Sequence, residues 1–267
     1  MNLIKTRIAR LSAAFVLALG MVSVPASAQA APHPCPRVEF LGLHGLNEGD
    51  VGTFPKEEYW GKTIQSVWDN FEPHFTSIPA HATAISYPRF ILTPAKFYNV
   101  ARVETSADFA AAVLQAAILN LQGRNYCIVI AGYSQGAWAV DKAIRSLGGS
   151  TDQTERLALH NVVGIFLMGD PAWPAQDSYP DRMGLATRFQ RGYGSMTEYL
   201  NNEMSNDAFA SICATYGDGG SDPVCMSNTA DILDNRVWQR DIPLHDTYRT
   251  SVATKGGADF LAARAQR

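Results

Sequence analysis

Apolar residues gather in this chain into short uninterrupted runs, separated by amphipathic or polar stretches. Val38 to Leu43 is one such run, the mark of a buried strand, and it ends in a polar, glycine-bearing loop from His44 to Gly49. Lys62 to Phe71 sets Ile64, Trp68 and Phe71 at i, i+4 and i+7, which predicts a short amphipathic helix. Ala82 to Tyr87 predicts a second strand, stopped by Pro88. A longer helix is expected from Ser106, as N-cap, to Leu121, with Gly123 in the place of a C-terminal cap. Cys127 to Gly132 and Val162 to Met168 are further apolar runs, typical of parallel strands covered on both faces, and the segment from Ala137 to Leu147 between them is helix-forming.

After Asp170 the pattern weakens. Pro171, Pro174, Pro180, Gly184, Gly192 and Gly194 interrupt it, and only Met196 to Ala210 has partly helical character. Residues 171–212 are expected to form an insertion, either a plain surface loop or a lid over a substrate cleft. Ala208 to Ala214 reads as a strand and Gly257 to Ala265 as a closing helix. The alternation implies an α/β fold over residues 35–265: one domain, with a doubly wound, mostly parallel sheet flanked by helices and a site at the carboxyl ends of its strands.

One stretch carries candidate chemistry. The strand from Cys127 runs into Gly132-Tyr133-Ser134-Gln135-Gly136, and a helix follows directly. A Gly-x-Ser-x-Gly sequence between strand and helix is the context of a nucleophile elbow, a turn so sharp that a Cβ at either flanking position collides with a neighbouring element. The serine needs a base to take its proton and an acid to orient that base. In elbow hydrolases these follow in the order serine, acid, histidine, which leaves His160 and His245 among the six histidines. His160 precedes the Val162 strand and so belongs at the opposite edge of the sheet, which favours His245. His33, His44, His74 and His81 read as surface or structural residues. For the acid, the loop from Cys213 to Cys225 offers Asp218 and Asp222, while Asp170-Pro171 reads as a turn or cleft wall.

Composition narrows the setting. Lys5, Arg7 and Arg10 precede an apolar run from Leu11 to Val24, followed by small-x-small sites that end at Ala28 and Ala30. Residues 1–28 therefore read as a secretory signal peptide, cleaved after Ala28 or Ala30, and no second hydrophobic segment follows to span a membrane. Its removal takes away three cationic side chains and no anionic ones, so the exported chain is more acidic than the formal −3 of the whole sequence, which speaks against a nucleic-acid partner. Export also makes disulfides of Cys35, Cys127, Cys213 and Cys225. Of three pairings, Cys35 with Cys127 and Cys213 with Cys225 is favoured, the second closing a short loop. No Cys-x-x-Cys spacing points to a metal, and no cofactor is expected.

The elbow Gly-Tyr-Ser-Gln-Gly-Ala, the four cysteines and the late His245 together resemble the cutinase family of α/β-hydrolases, over most of residues 35–265. The resemblance implies the same two disulfides, His245 as base, and Asp222 as acid, because the family's acid stands in Asp-x-x-Cys, here Asp222-Pro223-Val224-Cys225. Counting forward from Cys213 favours Asp218 instead. Oxyanion donors are expected from the backbone N–H groups of Leu46 and Gln135. Leu46 stands where the family usually has serine or threonine, so it offers no hydroxyl. The implied function is a secreted, monomeric serine esterase acting on lipid-like or polyester acyl groups; an acetylxylan esterase, a mycolyl esterase or acyltransferase, and a non-catalytic envelope-binding protein on the same fold are the alternatives.

Overall fold

The strands expected from two-sided burial form the middle of one six-stranded sheet, in the order β2-β1-β3-β4-β6-β5. They are β1 (Val38–Leu43), β2 (Ala80–Ala84), β3 (Cys127–Tyr133), β4 (Val162–Met168), β5 (Thr187–Arg191) and β6 (Phe209–Ala214). β1 pairs parallel with β2 and β3, β3 with β4, and β4 with β6, whereas β5 pairs antiparallel with β6. The computed structural model describes residues 35–46, 48, 60–87, 100–171, 187–191, 208–214, 222–226, 243, 245–250 and 252–267. The expected signal peptide, the helical character over residues 196–207 and most of the expected insertion lie outside them.

The period of two along each strand divides the core between two helical layers. Leu41 and Leu43 of β1, Ile128 and Ile130 of β3, and Ile165 and Leu167 of β4 pack with α2 (Val100–Leu121) and α3 (Gln135–Gly148). Their alternates, Phe40, Val129, Ala131, Phe166 and Met168, pack on the other face with α1 (Gly61–Phe71) and the closing helix (Val252–Ala265), through Ile64, Val67, Phe71, Ala258 and Leu261. Each large side chain so buried contributes about 1.5–3 kcal/mol. This is why these strands are apolar without interruption. Two short helices, α4 (Gln153–Leu157) and α5 (Pro223–Met226), lie between them in the chain, and the closing helix is therefore α6.

Four boundaries differ from the sequence reading. β2 lies at Ala80–Ala84, not Ala82 to Tyr87, because it is recruited by backbone pairing with β1 (Val38 opposite Ala80, Gly42 opposite Ala84) and not by its own hydrophobicity. α2 begins at Val100, and Ser106 is a buried residue within it, not its cap. α3 begins at Gln135, immediately after the elbow, and α6 at Val252, with Gly257 inside it against Phe166. The range expected as an insertion contains β5 and the first residues of β6.

The chain leaves β1 for β2 on one side and returns to β3 on the other, so the strand order reverses between β1 and β3. A crevice opens at the carboxyl ends of such a pair. The residues that emerge there are His44 to Leu46 after β1, Ser134 after β3 and Gly169 after β4.

Candidate active site

Ser134 has φ 54° and ψ −121°, a conformation that L-residues rarely adopt. Strand and helix hold it there: its N–H donates to the Met168 carbonyl at 2.8 Å, and its carbonyl accepts from Trp138 N–H at 3.1 Å. The flanking glycines are needed for close approach. A Cβ on Gly132 would stand 2.8 Å from the Ala137 Cα, and one on Gly136 would meet the carbonyl oxygens of Leu43 and His44, the latter at 2.6 Å. The elbow is thus wedged against the end of β1.

That contact brings the first-strand loop beside the serine. A Cβ on Gly45 would lie 3.3 Å from the Ser134 Cβ and 2.7 Å from the Tyr133 ring. Leu46 follows, its side chain buried, in a turn closed by a hydrogen bond from Glu48 N–H to the Gly45 carbonyl at 3.3 Å. Gln135 is the first residue of α3, where helix geometry leaves the N–H without an intrahelical partner. Its side-chain amide donates to the Val103 carbonyl at 2.9 Å, which fixes the start of α3 on α2.

His245 and Asp222 meet over the end of β4. His245 Nδ1 lies 2.8 Å from Asp222 Oδ2, and both residues are buried. Asp222 is held on its other sides by Tyr248 Oη, which donates to Oδ2 at 2.8 Å, and by the Val224 N–H, which donates to Oδ1 at 2.8 Å. The Cys213–Cys225 disulfide ties α5 to β6, and Cys35–Cys127 ties the entry of β1 to β3, the pairing favoured from sequence. Asp218 lies outside the described residues. Asp170 is buried directly after Gly169. His160 sits in the short turn before β4, at the far edge of the sheet from Ser134.

Four residues not singled out by the sequence complete this arrangement. Tyr133 stacks on His245 and hydrogen-bonds its carbonyl. Gly169, at φ 59°, makes room for the acid–histidine pair: a Cβ there would lie 2.6 Å from His245 Cε1 and 3.0 Å from Asp222 Oδ2. Tyr248, one helical turn past His245, braces Asp222. Glu48 stands beside the Gly45 turn. A glycine directly after a buried strand and a tyrosine three residues after His245 are the signals by which two of these were findable.

The surroundings are acidic. Burial pushes the carboxyl groups of Glu48 and Asp246 up from their ordinary values, and the charge of His245 pulls each back in part. Burial, followed by the charges of Glu48, Asp246 and Asp222, holds the Tyr133 hydroxyl well above the ordinary tyrosine range, so it remains a donor.

A sequence search among curated proteins finds no match. Among solved structures, an acetylxylan esterase is 18% identical over 86% of this chain and 99% of its own, with a TM-score of 0.52. An iodinated complex of acetyl xylan esterase gives 20% identity, 86% and 99% coverage and a TM-score of 0.53. The catalytic core domain of the Trichoderma reesei acetyl xylan esterase gives 17%, 86%, 99% and 0.50. Likeness at this identity establishes the α/β-hydrolase fold. The model of the cutinase family matches residues 53–265, which take in everything from α1 to the end of α6. The chain belongs to the cutinase family of carboxylic ester hydrolases.

Proposed function

We propose that this chain is a secreted serine esterase with Ser134 as nucleophile, His245 as base and Asp222 as acid. The observation that carries the reading is the buried 2.8 Å contact between His245 Nδ1 and Asp222 Oδ2, formed at the end of β4 whose last carbonyl holds Ser134. His245 takes the Ser134 proton as Oγ bonds to the ester carbonyl carbon. The resulting oxyanion is met by the N–H groups of Leu46 and Gln135. Collapse expels the alcohol, protonated by His245, and water then attacks the acyl-enzyme by the same path to release the acid. Export is supported by the basic-apolar-small pattern of residues 1–28 and by the two disulfides.

A fluorophosphonate probe is expected to label wild type and not Ser134→Ala; a folded wild type that resists labelling counts decisively against the reading. The expected substrates carry lipid-like or polyester acyl chains. A second reading, short acyl groups such as acetate, is favoured by the acetyl xylan esterases among the structural neighbours. Rates on a chain-length series of p-nitrophenyl esters separate the two: strict preference for acetate selects the second.

A further inference from the structure

The turn that carries Leu46 is fastened by side chains on both sides of it: His44 Nδ1 lies 2.8 Å from the Gly45 carbonyl oxygen, and Glu48 takes the backbone N–H groups. Glu48 Oε2 accepts the Gly45 N–H at 3.1 Å, and Oε1 accepts the Thr63 N–H at 2.6 Å, in the first turn of α1. Its own N–H donates to the Gly45 carbonyl, so Glu48 grips both ends of the Gly45 peptide unit pair. The chain makes space for this: Gly61, at φ 72°, stands where a Cβ would lie 2.9 Å from Glu48 Cβ and 2.7 Å from His44 Cβ. Such a site is costly for an acid. Burial pushes the carboxyl up, and the Thr63 hydroxyl, the Gly45 and Thr63 N–H groups and the His245 charge only partly restore it.

Fastening matters here because Leu46 has no hydroxyl, so any help it gives an oxyanion depends wholly on where its backbone N–H points. We infer that Glu48 is a positioning residue: its carboxylate, bridging Gly45 and Thr63, fixes the turn so that Leu46 N–H faces the oxyanion formed at Ser134. The inference rests on the serine-esterase reading above. Glu48 acts through the backbone: both of its oxygens are engaged by backbone donors.

Glu48→Gln tests it. The amide is the same size, yet it has one acceptor for two N–H groups and turns a donor toward the second. Three quantities are measured on wild type and variant: kcat and KM on a p-nitrophenyl ester, thermal midpoint, and amide hydrogen exchange in the segment spanning residues 44–46. We expect kcat about a hundredfold lower with KM unchanged, a thermal midpoint lowered by a few degrees at most, and faster exchange at Gly45 with β3 unaffected. A merely structural role predicts the reverse, a larger drop in midpoint with kcat intact. If Glu48→Gln does not fold, Glu48→Asp, which keeps the charge and shortens the reach, reads the same quantities. Wild-type turnover with an indifferent variant overturns this inference alone; a wild type without ester turnover overturns it together with the esterase reading.

Discussion

Tyr133 and His245 hold one another twice. Their rings stack with centroids 4.9 Å apart and planes 25° from parallel, and Tyr133 Oη donates to the His245 carbonyl at 2.9 Å. The residue preceding Ser134, the proposed nucleophile, therefore anchors the proposed base by ring and by backbone. Tyr133→Phe keeps the stack and removes the anchor. It is expected to cost about 1 kcal/mol of stability and to lower kcat several-fold, measured by denaturant unfolding and steady-state kinetics.

The same hydroxyl gives a pH signature. Its folded value is raised, so above about pH 10 the unfolded chain has lost this proton while the folded chain keeps it. With the folded state binding more protons, stability falls as pH rises through that window, by up to about 1.4 kcal/mol per pH unit. The contribution is fully present below the unfolded value. Unfolding wild type and Tyr133→Phe between pH 9 and 11 is expected to show the steeper alkaline decline in wild type only; parallel curves refute it.

Gly169→Ala places a methyl group against His245 and Asp222 and forces alanine to φ 59°. The backbone strain costs about 1–2 kcal/mol, and the displaced pair is expected to lower kcat/KM by about a hundredfold. Circular dichroism should report an intact fold. Activity near the wild-type level in a folded variant would mean that the pair is not held by this contact.

Tyr248→Phe removes the second donor to Asp222 Oδ2. A hydrogen bond to a charged group contributes about 1.5–3 kcal/mol, so kcat is expected to fall about tenfold with KM little changed. Single-turnover acylation is the direct measurement.

Replacing Cys213 and Cys225 together by serine opens a loop with sequence separation 12 that has Asp222 near its end. The loss is about 3 kcal/mol on loop-closure grounds. Esterase activity is expected to disappear at lower denaturant than far-UV helicity, because the acid is released before the sheet melts.

What the sequence revealed followed burial. β1, β3 and β4 are covered on both faces, and their unbroken apolar runs announce them at nearly their true bounds. β2, Ala-His-Ala-Thr-Ala, is half-buried at the sheet's edge and exists through its hydrogen bonds to β1, so nothing in its composition marked its start. β5, Thr-Arg-Phe-Gln-Arg, is likewise an edge strand without apolar alternation. The elbow was legible because it is local. The supports of His245 have local signals at most singly, and their convergence has none: Tyr133, Gly169 and Tyr248 come from β3, the end of β4 and the turn after His245, and only the folded sheet brings them together.

The positions of Asp222 and His245 have a temporal consequence. Ser134 and its elbow belong to the middle of the chain, whereas the proposed acid and base arrive after residue 220, ahead of α6, which closes over β4 and α1. A chain emerging in order from amino to carboxyl end displays its serine long before it possesses a base. On this reading the growing polypeptide is inert toward the ester bonds of the cell that makes it until Asp222 and His245 have joined the sheet.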